Sequence, residues 1–176
     1  MPAQDSCWLR AWRWVVSWAA APALGWSRRT TWIWGGGPLK VGERPQDLSF
    51  KCEILPEYTR ARVVDFAILG FCPPGTAGSK HAAVMMRWVE DRINETQPAA
   101  VLFDLTGLDY VWGNNMMLIT NPLLRGIPTV YLATGRTAKA LNSLFDAFCL
   151  DWGKNEPKVF QDRGEALQYL ETLMRV

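Results

Sequence analysis

Ala99-Ala100-Val101-Leu102-Phe103-Asp104-Leu105-Thr106-Gly107-Leu108-Asp109-Tyr110-Val111-Trp112-Gly113-Asn114-Asn115-Met116 is the stretch whose reading decides the fold. Val101 to Phe103 is a continuous apolar run, the pattern of a strand covered on both faces of a parallel sheet. Asp104 then falls at the carboxyl end of that strand, where open α/β sheets place ligand and partner sites. Thr106-Gly107 can turn the chain, and Leu108, Tyr110 and Val111 are expected to seal the turn against the sheet edge. Gly113-Asn114-Asn115 follows. An asparagine oxygen accepts from a free backbone N–H of a helix's first turn, so Asn114 or Asn115 is the expected cap of a helix over 116–124.

Upstream, residues 48–55 alternate Ser49, Lys51 and Glu53 with Phe50, Cys52 and Ile54, as an edge strand does. Residues 62–71 form a stronger strand, with Val64, Phe66 and Ile68 on one face and Val63, Ala67, Leu69 and Phe71 on the other; Asp65 alone interrupts that second face. The two are expected to form a hairpin around Glu57-Tyr58. Gly70-Phe71-Cys72-Pro73-Pro74-Gly75-Thr76-Ala77 invites comparison with a phosphate-binding loop, but the Lys-Ser/Thr step after the second glycine is missing. Its two prolines also lack the N–H groups that would cradle phosphate. A helix over 79–95 buries Ala82, Met85, Met86, Val89 and Ile93 at i, i+3, i+4 spacing, shows Arg87, Glu90, Asp91 and Arg92 to water, and stops at Pro98.

Downstream, Thr129 to Ala133 reads as a strand and residues 136–150 as a helix burying Leu141, Leu144, Phe145 and Phe148. Lys158 to Phe160 is a short strand, Asp162-Arg163-Gly164-Glu165 a capping box, and Leu167, Leu170 and Leu173 the stripe of a terminal helix. Strands separated by single helices imply right-handed crossovers and a mostly parallel sheet.

Composition bounds the chemistry. A chain of 176 residues suits one domain, and buries enough surface to fold without a disulfide or metal. Residues 1–47 carry six Lys/Arg against three Asp/Glu, and residues 48–176 thirteen against fourteen. The folded part is therefore nearly neutral, with no field to draw a nucleic acid. Cys7, Cys52, Cys72 and Cys149 stand far apart with no C-x-x-C pair, which speaks against zinc and a disulfide framework. His81 is the only histidine, so any nucleophile-histidine arrangement must pass through it; near a helix start it reads as solvent-facing.

Residues 1–46 differ from the rest. Seven of the ten tryptophans fall here, at 8, 12, 14, 18, 26, 32 and 34. Trp14 to Trp26 is an uncharged run of thirteen residues after Arg10 and Arg13, shorter than the roughly 20 apolar residues that span a bilayer. Three readings stand open: an export signal, a segment lying on a membrane interface, and a disordered or upstream translation outside the natural product. The mismatch in composition favours the last. Gly35-Gly36-Gly37-Pro38 is a break, and the domain is placed at 47–176.

Over residues 48–176 the sequence resembles the STAS domain, the family of anti-sigma-factor antagonists and the cytoplasmic domains of sulfate transporters. Val101-Leu102-Phe103-Asp104-Leu105-Thr106-Gly107-Leu108-Asp109-Tyr110-Val111 looks like the family's apolar strand followed by D-[LF]-[ST]-x-[VL]-x-[FY]-[IM]. Thr129 to Ala133, and Val159-Phe160 before Glu165-Ala166-Leu167, add to the likeness. The resemblance implies a single STAS-like α/β domain with a small mixed, mostly parallel sheet and helices, preceded by the irregular Trp-rich segment. Where phosphorylated members open the helix with D-S-S-G or D-[ST]-S-G, this chain has Trp112, Gly113, Asn114 and Asn115, so a phosphoacceptor is missing at the usual place. Thr106, the nearest hydroxyl, reads as bonding locally within its turn.

The function expected is a cytoplasmic, non-enzymatic regulatory module that binds another protein: an anti-sigma factor kinase or a second STAS protein. The expected surface is Asp104, Thr106, Asp109, Trp112, Gly113, Asn114 and Asn115, with no catalytic residue, metal or cofactor. Membrane contact is expected only if the N-terminal segment is real. The alternative is a small enzyme or ligand-binding domain using Asp104 and Asp109 as acid/base groups at the strand ends, which would need both carboxylates, with His81, in one closed pocket.

Overall fold

The computed structural model describes residues 47–58, 61–113, 116, 119–147 and 156–175; the Trp-rich segment, Asn114 and Asn115 lie outside them. The chain runs β1 (Leu48–Ile54), β2 (Val63–Cys72), a 3₁₀ turn (Gly75–Gly78), α1 (Ser79–Thr96), β3 (Ala100–Asp104), β4 (Leu108–Tyr110), α2 (Asn121–Leu124), β5 (Thr129–Leu132), α3 (Gly135–Ala147), β6 (Val159–Phe160) and α4 (Arg163–Met174). The strands form one sheet in the order β1-β2-β3-β5-β6, with β4 beside the far end of β2. β1 is the antiparallel edge and the other pairings are parallel.

The central strands are buried on both faces because helices cover both. On one face, Val64, Phe66, Ile68, Val101, Phe103 and Tyr131 pack against Ala82, Met85, Val89 and Ile93 of α1 and Leu141, Leu144 and Phe145 of α3. Parallel register sets Phe66, Phe103 and Tyr131 side by side across three strands. Trp88 and Phe145 extend this aromatic row at either end, with ring centroids 5.1–5.6 Å apart along it. Rings at such separations add favourable edge and stacking contacts to the area they bury. On the other face, Val63, Ala100, Leu102, Val130 and Leu132 pack under Ala166 and Leu170 of α4.

Local chemistry explains the ends of these helices. α1 stops where Gln97 takes a left-handed conformation at φ 46° and its N–H donates to the Ile93 carbonyl, just before Pro98. α4 begins at Asp162, whose Oδ1 accepts from the Glu165 N–H at 2.9 Å.

Four expectations need correction. Leu69 and Phe71 are exposed, because α4 rests on β3, β5 and β6 and leaves the outer face of β2 uncovered beyond Ala67. Val111 is exposed as well, since it follows the end of β4 instead of closing it. Leu108 to Tyr110 is a parallel strand and not only a turn. His81 is largely buried, with its ring nitrogens shielded from solvent and Asp47 3.9 Å away. Of the helix expected over 116–124, the described residues are 3₁₀ at Met116, Ile119 and Thr120 and α-helical at Asn121–Leu124, and its expected caps lie outside them.

Candidate functional site

The site begins at the end of β3. Asp104 Oδ1 accepts from the Thr106 backbone N–H at 3.0 Å and from the Thr106 hydroxyl at 2.6 Å, which closes the turn leading to β4. Thr106 therefore bonds locally, as its place in the sequence suggests. Beyond the turn, the Tyr110 N–H donates to Thr137 Oγ1 at 3.2 Å, tying β4 to α3. The Tyr110 hydroxyl donates to the Gly113 carbonyl at 2.7 Å, and burial pushes this phenol up to about 12.

Trp112 sits in the loop that these bonds anchor. Its carbonyl accepts from the Gly75 N–H at 3.2 Å, joining the loop after β4 to the one after β2. Gly75 stands at φ 62°, and a Cβ there would meet the Trp112 ring at 2.8 Å. Glycine is needed on both counts. The indole rests on that backbone with its other side free, and Trp112 is 61% exposed.

Phe71 at 43% exposed, Leu69 at 42% and Val111 at 39% are the other exposed apolar side chains at this end of the sheet. Leu69 and Phe71 alternate onto one face of β2, and Phe71 pairs with Asp109, two residues before Val111, so these side chains share the outer face of the sheet. Asp109 carries an ion pair with Arg136 at 3.3 Å. This end of the sheet thus presents apolar side chains edged by charge.

Further along the same face is a shallow cleft of about 230 Å³ lined by Lys51, Glu53, Asp65, Ala67, Asp104 and Arg163. Arg163 pairs with Asp65 at 2.7 Å and reaches toward Asp104 at 3.8 Å, while Lys51 pairs with Glu53 at 2.6 Å. Burial holds the Asp65 carboxyl above the usual range, although Arg163 opposes the shift. Sequence reasoning noticed Asp65 only as an interruption. Its counter-charge comes from the first turn of α4, nearly a hundred residues away, and no local pattern announces that pair.

The structure gathers Asp104, Thr106, Asp109, Trp112 and Gly113 at one end of the sheet but does not bring the two carboxylates together. Asp104 pairs across from Ala67 and Asp109 from Phe71, four residues along β2, which is ~13 Å at the usual strand rise. Neither Asp109 nor His81 lines the cleft. Among the described residues no group of three or more His, Cys, Asp or Glu side chains is placed to hold a metal.

A crystal structure of an anti-sigma factor antagonist from Mycobacterium paratuberculosis superposes on this chain with a TM-score of 0.52, covering 73% of this chain and 97% of its own at 14% identity. The fold is STAS-like. A second solved structure, an uncharacterised protein of the DUF3478 family from Shewanella loihica described as having a SpoIIAA-like fold, covers 73% of this chain and 97% of its own at 16% identity, with a TM-score of 0.43. No family model matches the sequence, and no curated protein matches it. No helix among the described residues of this STAS-like domain is long and apolar enough to cross a membrane.

Proposed function

We propose that residues 47–176 are a non-enzymatic regulatory module of the cytoplasm that docks another protein on the surface around Trp112. The observation that carries this reading is the 61% exposure of an indole whose backbone is pinned by Gly75 and whose loop is anchored by Tyr110. A large side chain held ready for a partner loses little freedom on binding, which is why tryptophan dominates many interfaces. Phe71, Leu69 and Val111 supply further apolar area, and Asp104, Thr106 and Asp109, with Asn114 and Asn115, supply the polar edge. The fold shared with an anti-sigma factor antagonist supports a partner of that kind, an anti-sigma factor kinase or a second STAS protein. With Gly113, Asn114 and Asn115 after Trp112, the module works without a phosphoacceptor at that place.

The test is affinity purification of residues 47–176 from the native cell, comparing the native sequence with Trp112→Ala and Asn114→Asp. A protein held by the native sequence and lost from both variants supports the reading. The same proteins held by all three would remove it.

A further inference from the structure

β1 ends the sheet: it pairs with β2 on one side, and among the described residues no strand pairs with its outer side. The Phe71 N–H donates to the Asp47 carbonyl at 3.0 Å and the Leu55 N–H to the Val63 carbonyl at 2.9 Å, so the odd-numbered residues of this strand turn their backbone groups toward β2. Leu48, Phe50, Cys52 and Ile54 then aim theirs at the outer edge. A free edge of this kind is a template for another strand. Phe50 and Cys52 pack on the α1 side of the sheet, and Ile54, on the same face by alternation, is 51% exposed. Lys51 and Glu53 stand on the opposite face, paired with each other at 2.6 Å and open to solvent.

A lone lysine on an edge strand repels a copy of that strand, but here the opposite charge follows two residues later. An antiparallel copy must also bring its own outward backbone groups to the edge, which sets even-numbered residues opposite even-numbered ones. Few registers remain. Centring between Phe50 and Cys52 puts Lys51 opposite Lys51, centring between Cys52 and Ile54 puts Glu53 opposite Glu53, and centring on Phe50 puts Glu53 opposite Asp47. Centring on Ile54 puts Pro56, which has no N–H to give, opposite Cys52. Centring on Cys52 instead sets Lys51 opposite Glu53 and Phe50 opposite Ile54, each twice. The charges then face each other at the non-hydrogen-bonded positions, where the strands come closest, at about 4.5 Å between Cα atoms. Unlike charges placed so stabilise a strand pair and like charges oppose it.

We infer that two copies of this chain join β1 to β1 in the register centred on Cys52, making one continuous sheet of the two domains. Each Ile54 packs beside the Phe50 of the second copy, and two lysines and two glutamates alternate in sign on the other face. The inference does not rest on the docking function proposed above.

The experiment is sedimentation equilibrium of the full chain over a series of concentrations, for the native sequence, Lys51→Glu, Glu53→Lys and an equimolar mixture of these two variants. Both side chains are exposed, and circular dichroism checks that each variant keeps its fold. The native chain should double its mass reversibly as concentration rises. Each variant alone should raise the dissociation constant about tenfold, because like charges now face each other, and the mixture should restore it, because unlike charges face again. Should either reversal fail to fold, Ile54→Asp, at a position open to solvent in the monomer, should weaken association in its place. A native chain that stays monomeric, variants that associate as the native chain does, or a mixture no stronger than its components would overturn the inference.

Discussion

Asp65 lies in β2 at 8% exposure, with one oxygen on Arg163 and the other buried without a hydrogen-bond partner among the described residues. Because burial raises its folded pKa above the ordinary 3.8, the folded state holds this proton more tightly than the unfolded chain. The stability it contributes is full below the unfolded value and is lost as pH rises through the folded one. Arg163 limits that loss by pairing with the ionised form. Arg163→Met should therefore cost about 1–2 kcal/mol at neutral pH, the low end for a buried acceptor left unpaired because Arg163 is partly exposed. The cost should shrink as Asp65 takes up its proton, which denaturant titrations at a series of pH values would show.

His81 behaves in the opposite sense. Burial lowers its pKa from 6.5, and Asp47 offsets this only in part. The unfolded chain then binds the proton more tightly, so stability is full above about 6.5 and falls as pH drops through that value toward the folded pKa. Replacing His81 by Gln should flatten this part of the melting-temperature profile. An unchanged slope would show that some other group titrates there.

At the scale of elements, two local devices should separate cleanly. Asp162→Ala removes the cap of α4 and should lower stability by about 1 kcal/mol in thermal or denaturant unfolding, leaving partner binding unchanged. Gly75→Ala forces an L side chain into a left-handed conformation at about 1–2 kcal/mol, and also displaces the indole. It should therefore weaken partner binding beyond its effect on stability, as a binding isotherm on the folded protein would reveal. Equal effects of the two variants on binding would speak against a positioned Trp112.

The elements with a long periodic pattern were legible in the sequence. The α1 stripe from Ala82 to Ile93 and the β3 run need only their own side chains to declare a face, and the cap at Asp162 is a short-range pattern. β4 was not legible, because three residues after a turn carry no period and become a strand only through the end of β2. Leu69 and Phe71 follow a strand alternation correctly, but whether that face is buried depends on how far α4 extends. His81 is buried for a similar reason, since its cover comes from tertiary packing that helix position does not reveal. Of the site, Asp104, Thr106 and Trp112 could be singled out from sequence, while the Asp65–Arg163 pair could not.

For the whole molecule, the decisive feature is unequal cover of one sheet. α1 and α3 close one face, while α4 closes only part of the other and leaves the carboxyl end of β2 with β4 open. The polar cleft shares that open face with the exposed Leu69 and Phe71, which follow Asp65 and Ala67 at alternate positions along β2. Such an arrangement suits docking of a large partner better than enclosure of a small substrate.

The most direct test of this account is the affinity of residues 47–176 for the protein they retain from native cells, measured for the native sequence, Trp112→Ala, Trp112→Phe and Lys139→Ala on the exposed side of α3. The account predicts a loss of about 2 kcal/mol, roughly thirtyfold, for Trp112→Ala, a smaller loss for Trp112→Phe and none for Lys139→Ala. Equal affinity of the native sequence and Trp112→Ala, or failure to retain any protein, would contradict it.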